Sequence, residues 1–270
     1  MFRGDRGAEE EAGQAGMNLF VEISDYLDST YLNLVHSGLD ELQAVCNFTQ
    51  NMFTERAREL REDIKSARNE FDRCESDHNG FYEHQLDQLV AGYRDMTETF
   101  PDQVWRSLFM ATCGFMESQL TYLCDIVWLL QKKSINEKIL RKWYVSDCVK
   151  FLQERKVALP EMLSSERERN FLSYIRSACA HHNGYIRPEN VTPVREFFEI
   201  FRTYPGITIE THSNTVSIRP AFLSIFLLRL RATLGQLVEA LLDYGRDPAL
   251  RVEYEAFVQL LKARKGLVKE

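Results

Sequence analysis

The chain has 270 residues, 44% of them hydrophobic and 27% charged, and carries a net charge of −7. That length and composition fit one large soluble domain or two small ones, and no unbroken apolar run approaches the roughly 20 residues that span a bilayer. The negative balance argues against a surface built wholly for nucleic acid.

Residues 1–16 are mostly glycine, alanine and glutamate with almost nothing to bury, which predicts a disordered leader. No charged stretch followed by an apolar one occurs there, so no secretory leader is expected. From Met17 the periodicity is helical. A first helix is expected to end near His36, where Ser37-Gly38 breaks it, and a long second helix to run toward Cys74. Phe53, Ala57, Leu60, Ile64, Ala67 and Phe71 alternate in steps of four and three, a heptad-like seam that predicts antiparallel packing on another helix of this chain. Asp77-His78-Asn79-Gly80 is read as the stop of that helix.

A third helix is expected over 81–98, and Phe100-Pro101-Asp102 opens a fourth over about 102–131, rich in Trp105, Phe109, Phe115, Leu120, Leu123, Ile126 and Leu129. Two capping boxes, Ser134 to Glu137 and Ser165 to Glu168, open the fifth and sixth helices. Asn183-Gly184 is the left-handed stop after the sixth. Thr192-Pro193 starts a short helix through Phe198 and Phe201. The period then switches to two at Ile207 to Ile209 and Thr215 to Ile218, a β-hairpin over about 206–218. An apolar helix over 220–244 follows, with its longest run, Ala221 to Leu228, closed by Arg229 and Arg231. A tail helix ends near Lys265. The expected fold class is all-α with a small late hairpin: a leader (1–16), an N-terminal helical extension (17–99) and a helical domain (100–270).

The six cysteines, Cys46, Cys74, Cys113, Cys124, Cys148 and Cys179, form no C-x-x-C pair. Reduced structural thiols in a cytoplasmic protein are expected, with no metal site and no cofactor. From Lys132 to Lys156 eight basic residues face three acidic ones. Lys138, Arg141, Lys142 and Lys150 on this strip are candidate RNA contacts, and the alternative is a solvated helix face. Phosphate-binding and nucleophile-elbow motifs are absent.

The chemistry-bearing stretch is Arg176-Ser-Ala-Cys-Ala-His181-His-Asn-Gly184. Its arginine-to-histidine spacing recurs at Arg73 to His78, so spacing alone decides nothing. Around Arg73 lie Glu70, Asp72, Glu75 and Asp77, which would repel a phosphate; no acid lies between Glu168 and Glu189. Phe171, Leu172, Ile175, Ala178 and Cys179 give the helix an apolar face, which would hold Arg176 in place. Arg176 and Asn183 share a helix face, whereas Arg176 and His181 lie about 140° apart. They converge on one phosphate only if the helix loosens at its end or two copies meet. His182 continues the apolar face and reads as packing.

The stretch Ile175 to Gly184 resembles the signature of HEPN-superfamily proteins: arginine, a polar residue, three small or apolar residues, histidine, a pair often containing asparagine, then glycine. At Ser177 many active members carry asparagine or aspartate. The helix Ala111 to Leu120, with Glu117, resembles the family's earlier bundle helix, and the resemblance covers roughly residues 100–245. It implies a helical bundle and a metal-independent endoribonuclease, a toxin or antiviral defence effector, usually a homodimer whose paired motifs form one cleft. Arg176 and His181 would be catalytic. Ser177 and Asn183 would hold the phosphate or orient the imidazole, with His182 beside them. Glu117 would orient a side chain across the bundle or simply face solvent. RNA is the implied substrate, an antitoxin or other regulatory protein a further partner, and no membrane is involved. The alternatives are a non-catalytic HEPN-like module that binds a partner protein, and a structural helical adaptor.

Overall fold

The computed structural model describes residues 25–73, 79–130, 144–186, 204–210 and 213–245. The expected leader, the short helix at Thr192-Pro193 and the tail helix lie outside these residues. So do Cys74, His78, the first capping box and Lys132 to Lys142. What is described is mostly helical with one small antiparallel sheet. A π-helical turn, Tyr26–Tyr31, runs into α1 (Leu32–Phe71). Helix α2 (Asn79–Arg94) continues through a second π-helical segment, Asp95–Thr99, into α3 (Phe100–Leu130). Then come α4 (Val145–Glu154), the short α5 (Glu161–Ser164), α6 (Glu166–His181), β1 (Ile207–Ile209), β2 (Val216–Ile218) and α7 (Pro220–Gly245).

The residues group into two compact units. One takes Met1–Leu39, Gly114–Asn170 and Arg229–Glu270; the other takes Asp40–Cys113 and Phe171–Leu228. Helices α1, α3, α6 and α7 supply residues to both.

In the first unit, Ser37-Gly38 does not break the helix as the sequence suggested. Helix α1 runs through both residues, because Gly38 is needed for a close approach: a Cβ there would sit 2.7 Å from Phe115 Cε2. Of the second expected capping box the serine half forms, with Ser165 Oγ accepting the Glu168 N–H at 3.2 Å. The Glu168 carboxylate also pairs with Arg229 at 2.9 Å, and its side chain is only 8% exposed. Cys124 and Cys148 are buried here.

In the second unit the seam on α1 is its least exposed stripe. Leu60 and Ala67 are buried and Phe53, Ala57, Ile64 and Phe71 half-buried, between exposed neighbours. Phe53 meets Trp105 with ring centroids 6.3 Å apart, and Arg61 donates to Tyr93 Oη at 2.7 Å. Phe53 meets Trp105, and seven residues further along α1 Leu60 lies beside Gly92, so the partner number falls as the α1 number rises and the packing is antiparallel, as expected. One expected break is placed differently and another is absent: α1 does end short of Cys74, at Phe71. Asn79-Gly80 begins α2 instead of ending α1. The third and fourth helices are one helical run: the π-helical segment Asp95–Thr99, closed by the Phe100 N–H donating to the Asp95 carbonyl, joins α2 to α3 just before Pro101.

The hairpin has the expected strands, in the register Ile207–Ile218, Thr208–Ser217 and Ile209–Val216. An aromatic chain fixes the start of the second unit's share of α6. Phe171 stacks on Tyr204 at 5.8 Å, Tyr204 meets Phe222 at 5.6 Å, and Phe109 meets Phe222 and Phe226 at 5.6 and 5.5 Å. Such pairs add about 0.5–1.5 kcal/mol each beyond their burial. Helix α7 contains, within Pro220–Tyr244, an 18-residue window with a mean hydropathy of 1.5, long and apolar enough by composition to cross a membrane, and half of that window is buried inside the protein.

Candidate functional site

Helix α6 carries the arginine-histidine stretch on a core-anchored backbone. Phe171, Leu172, Ile175 and Ala178 are buried, which turns the opposite positions outward. Arg176 is half-buried, with its Nε inside the protein, and Ser177 is exposed. His181 is the last residue of the helix and is exposed; His182 is half-buried, and the two rings lie edge to face with centroids 6.4 Å apart.

The helix does not loosen before it ends. The His182 N–H donates to the Ala178 carbonyl at 3.1 Å, and Gly184 N–H donates to the same carbonyl at 2.8 Å. Asn183 and Gly184 then take left-handed backbone, φ 50° and 85°, as the Asn-Gly stop requires. On this regular helix Arg176 and His181 stay about 140° apart.

The stop is locked from two sides. The Val216 N–H donates to the Gly184 carbonyl at 2.8 Å, and the Ile186 N–H donates to the Asn214 carbonyl at 2.8 Å, so the hairpin is stitched to the end of α6. From α3, Arg106 donates through Nη1 to the Asn183 carbonyl. Its Nη2 pairs with Asp102 at 2.9 Å, and the arginine side chain is only 10% exposed. A cation against the last carbonyls of a helix is favoured by the helix dipole. Gly184 is buried under this guanidinium: a Cβ there would overlap Arg106 Nη1 and come within 3.2 Å of Cδ and Cζ.

Cys179 also feels this pair. Burial pushes its thiol up to about 12; Asp102 adds to the rise and Arg106 opposes it. It therefore stays protonated at neutral pH and is no nucleophile.

Reading the sequence missed Arg106 and Asp102. The signal was present: an Asp-Arg pair four residues apart, with the arginine set between Trp105 and Phe109 in a strongly apolar helix. The competing Arg73 is exposed at the end of α1, and its Asn79-Gly80 has no left-handed backbone. Of the basic strip, Lys150 is exposed on α4, and Lys138, Arg141 and Lys142 lie outside the described residues. Glu117 is half-buried on α3 and belongs to the first unit, whereas Arg176 to Gly184 belong to the second. No cluster of three or more metal-ligating side chains occurs among the described residues.

No protein-family model, no curated protein and no solved structure matches this chain.

Proposed function

We propose that the chain is a metal-independent endoribonuclease of HEPN type, a toxin or anti-phage defence effector acting in the cytoplasm, and that two copies complete each site. One observation carries the reading. His181 is presented to solvent at the end of a helix whose stop is held rigidly by Arg106 and the hairpin, one and a half turns from Arg176. A proton-transferring group gains most from such fixed placement.

In the reaction, a His181 imidazole removes the proton of a ribose 2′-OH. That oxygen attacks the adjacent phosphorus, the bond to the 5′-oxygen breaks, and the leaving oxygen takes a proton from an imidazolium. The products are a 2′,3′-cyclic phosphate and a 5′-hydroxyl, and DNA, which lacks the nucleophile, is not cut. The planar Arg176 guanidinium balances the charge that develops on the phosphoryl oxygens. Ser177 and Asn183 hold the phosphate or orient the imidazole, His182 packs beside it, and Glu117 is a supporting residue. Because Arg176 and His181 point 140° apart on one helix, the arginine of one copy serves the histidine of the other. A regulatory protein would act by covering this exposed helix end.

The test is digestion of RNA by purified full-length protein, with end-group analysis. Wild type is expected to yield cyclic-phosphate ends, and Arg176→Ala and His181→Ala to abolish them with melting temperature nearly unchanged. Intact RNA with wild type overturns the reading and favours a non-catalytic module that binds a protein partner. Unfolding of His181→Ala would make that histidine structural.

A further inference from the structure

The second unit contains a groove of about 1350 Å³ between α1, the segment joining α2 to α3, and the hairpin. Single small-molecule sites run about 300–1,000 Å³, so this open groove suits a longer occupant. In a chain of net charge −7 its basic lining is arginine alone: Arg58, Arg61, Arg94, Arg106 and Arg219, with no lysine. Arginine's planar fork matches phosphate oxygens and stacks on flat rings.

The charges are not equivalent. Four carboxylates also line the groove: Asp102 pairs with Arg106, Glu98 with Arg94, Glu210 accepts from Ser213 Oγ at 2.8 Å, and the fourth, Asp95, is half-buried; Arg58 in turn pairs with Glu55 beside the groove, which leaves Arg219 and the loosely held Arg94 as its available cations. Arg94 and Glu98 are both largely exposed, and such a pair contributes little and exchanges readily for a phosphate. Arg219 is exposed just after β2, and its guanidinium has no hydrogen-bond or ion-pair partner among the described residues. Arg61 lies over the half-buried Tyr93 ring at 5.6 Å while donating to that residue's hydroxyl. The hydrogen bond holds the guanidinium at the hydroxyl edge of the ring, so the two flat groups form a fixed platform side by side, near exposed cations. Arg106 lines the groove and also holds the Asn183 carbonyl, so the groove adjoins the end of α6.

We infer that this groove is a binding channel for single-stranded RNA, in which Arg219 contacts the phosphate backbone and the Arg61–Tyr93 platform stacks a base. Aromatic platforms with arginine along a basic track are the general means of holding single strands without reading sequence. The assignment extends the ribonuclease reading and rests on it for the identity of the strand.

The experiment measures fluorescence anisotropy of a labelled RNA of about twelve nucleotides, within the span that such sites hold, on full-length His181→Ala protein. Arg219→Ala and Tyr93→Ala are each expected to weaken binding about tenfold. Arg219→Ala is also expected to lower the salt slope by about 0.7, the value for one phosphate contact on a single strand. Arg73→Ala, outside the groove, should leave binding unchanged. Arg219 is exposed, so its variant is expected to fold even if Tyr93→Ala does not. Unchanged affinity in Arg219→Ala, equal affinity for duplex RNA, or no binding at all would overturn the channel. If the groove variants bind poorly but wild type cuts no RNA, the channel stands and the ribonuclease reading fails. If wild type cuts RNA and the variants bind normally, the reverse holds.

Discussion

Gly184→Ala tests the clamp at the end of α6. The residue has φ 85°, where an L side chain costs about 1–2 kcal/mol. Its new methyl would also displace Arg106. That guanidinium is the tip of a flexible chain, but Asp102 holds it on one side and the Asn183 carbonyl on the other. Moving it gives up a charge-assisted hydrogen bond, about 1.5–3 kcal/mol. Together the two effects predict a loss of about 2.5–5 kcal/mol, roughly a 5–20 °C fall in melting temperature for a chain of this size. Gly114→Ala is the control. It is exposed within α3 with nothing inside 4 Å of its new methyl, so it should gain about 0.5–1 kcal/mol. Thermal denaturation followed by circular dichroism reads both. A Gly184→Ala protein that melts at or above the wild-type temperature would refute the clamp.

Three further outcomes follow from the same geometry. Leu60→Ala, in the buried seam of α1, should cost about 2–5 kcal/mol, whereas Phe48→Ser, at an exposed position of the same helix, should stay within about 0.5 kcal/mol by denaturant titration. Ser165→Ala removes the cap of α6 and should cost about 1 kcal/mol in the same assay. Cys179, its thiol pushed up to about 12, should resist iodoacetamide at pH 8 when folded and react quickly in guanidinium, as mapped by peptide mass spectrometry. An unfolded thiol ionises near pH 8.5. Below that value Cys179 makes no pH-dependent contribution; as pH rises toward 12 the unfolded chain releases its proton first and stability falls. Rapid labelling of native Cys179 at pH 8 would show that the thiol is neither buried nor raised.

The amphipathic patterns were legible because they are local. The heptad stripe on α1, the Ser165 cap, the Asn183-Gly184 stop and the hairpin each follow from residues close in sequence, and each appears. What was misread depended on distant partners. Gly38 looks like a breaker until Phe115 is found against it. Asn79-Gly80 and Asn183-Gly184 are the same dipeptide, yet one opens a helix and the other closes one, because only the second meets a buried arginine and a strand. Arg106 stayed hidden because its target, a backbone carbonyl 77 residues away, leaves no mark in local sequence. Pro101 suggested a boundary, but a π-helical turn carries the helix through it.

The central claim is that Arg176 and His181 act together across two copies. Its most direct test mixes the two inactive proteins, Arg176→Ala and His181→Ala, under conditions of subunit exchange, and measures RNA cleavage. Half of the dimers would then be mixed, each with one intact site of two, so cleavage is predicted to return to about a quarter of the wild-type level, as a two-fold symmetric pair requires. A mixture as inactive as its parents, beside a wild type that cuts RNA, would contradict the account.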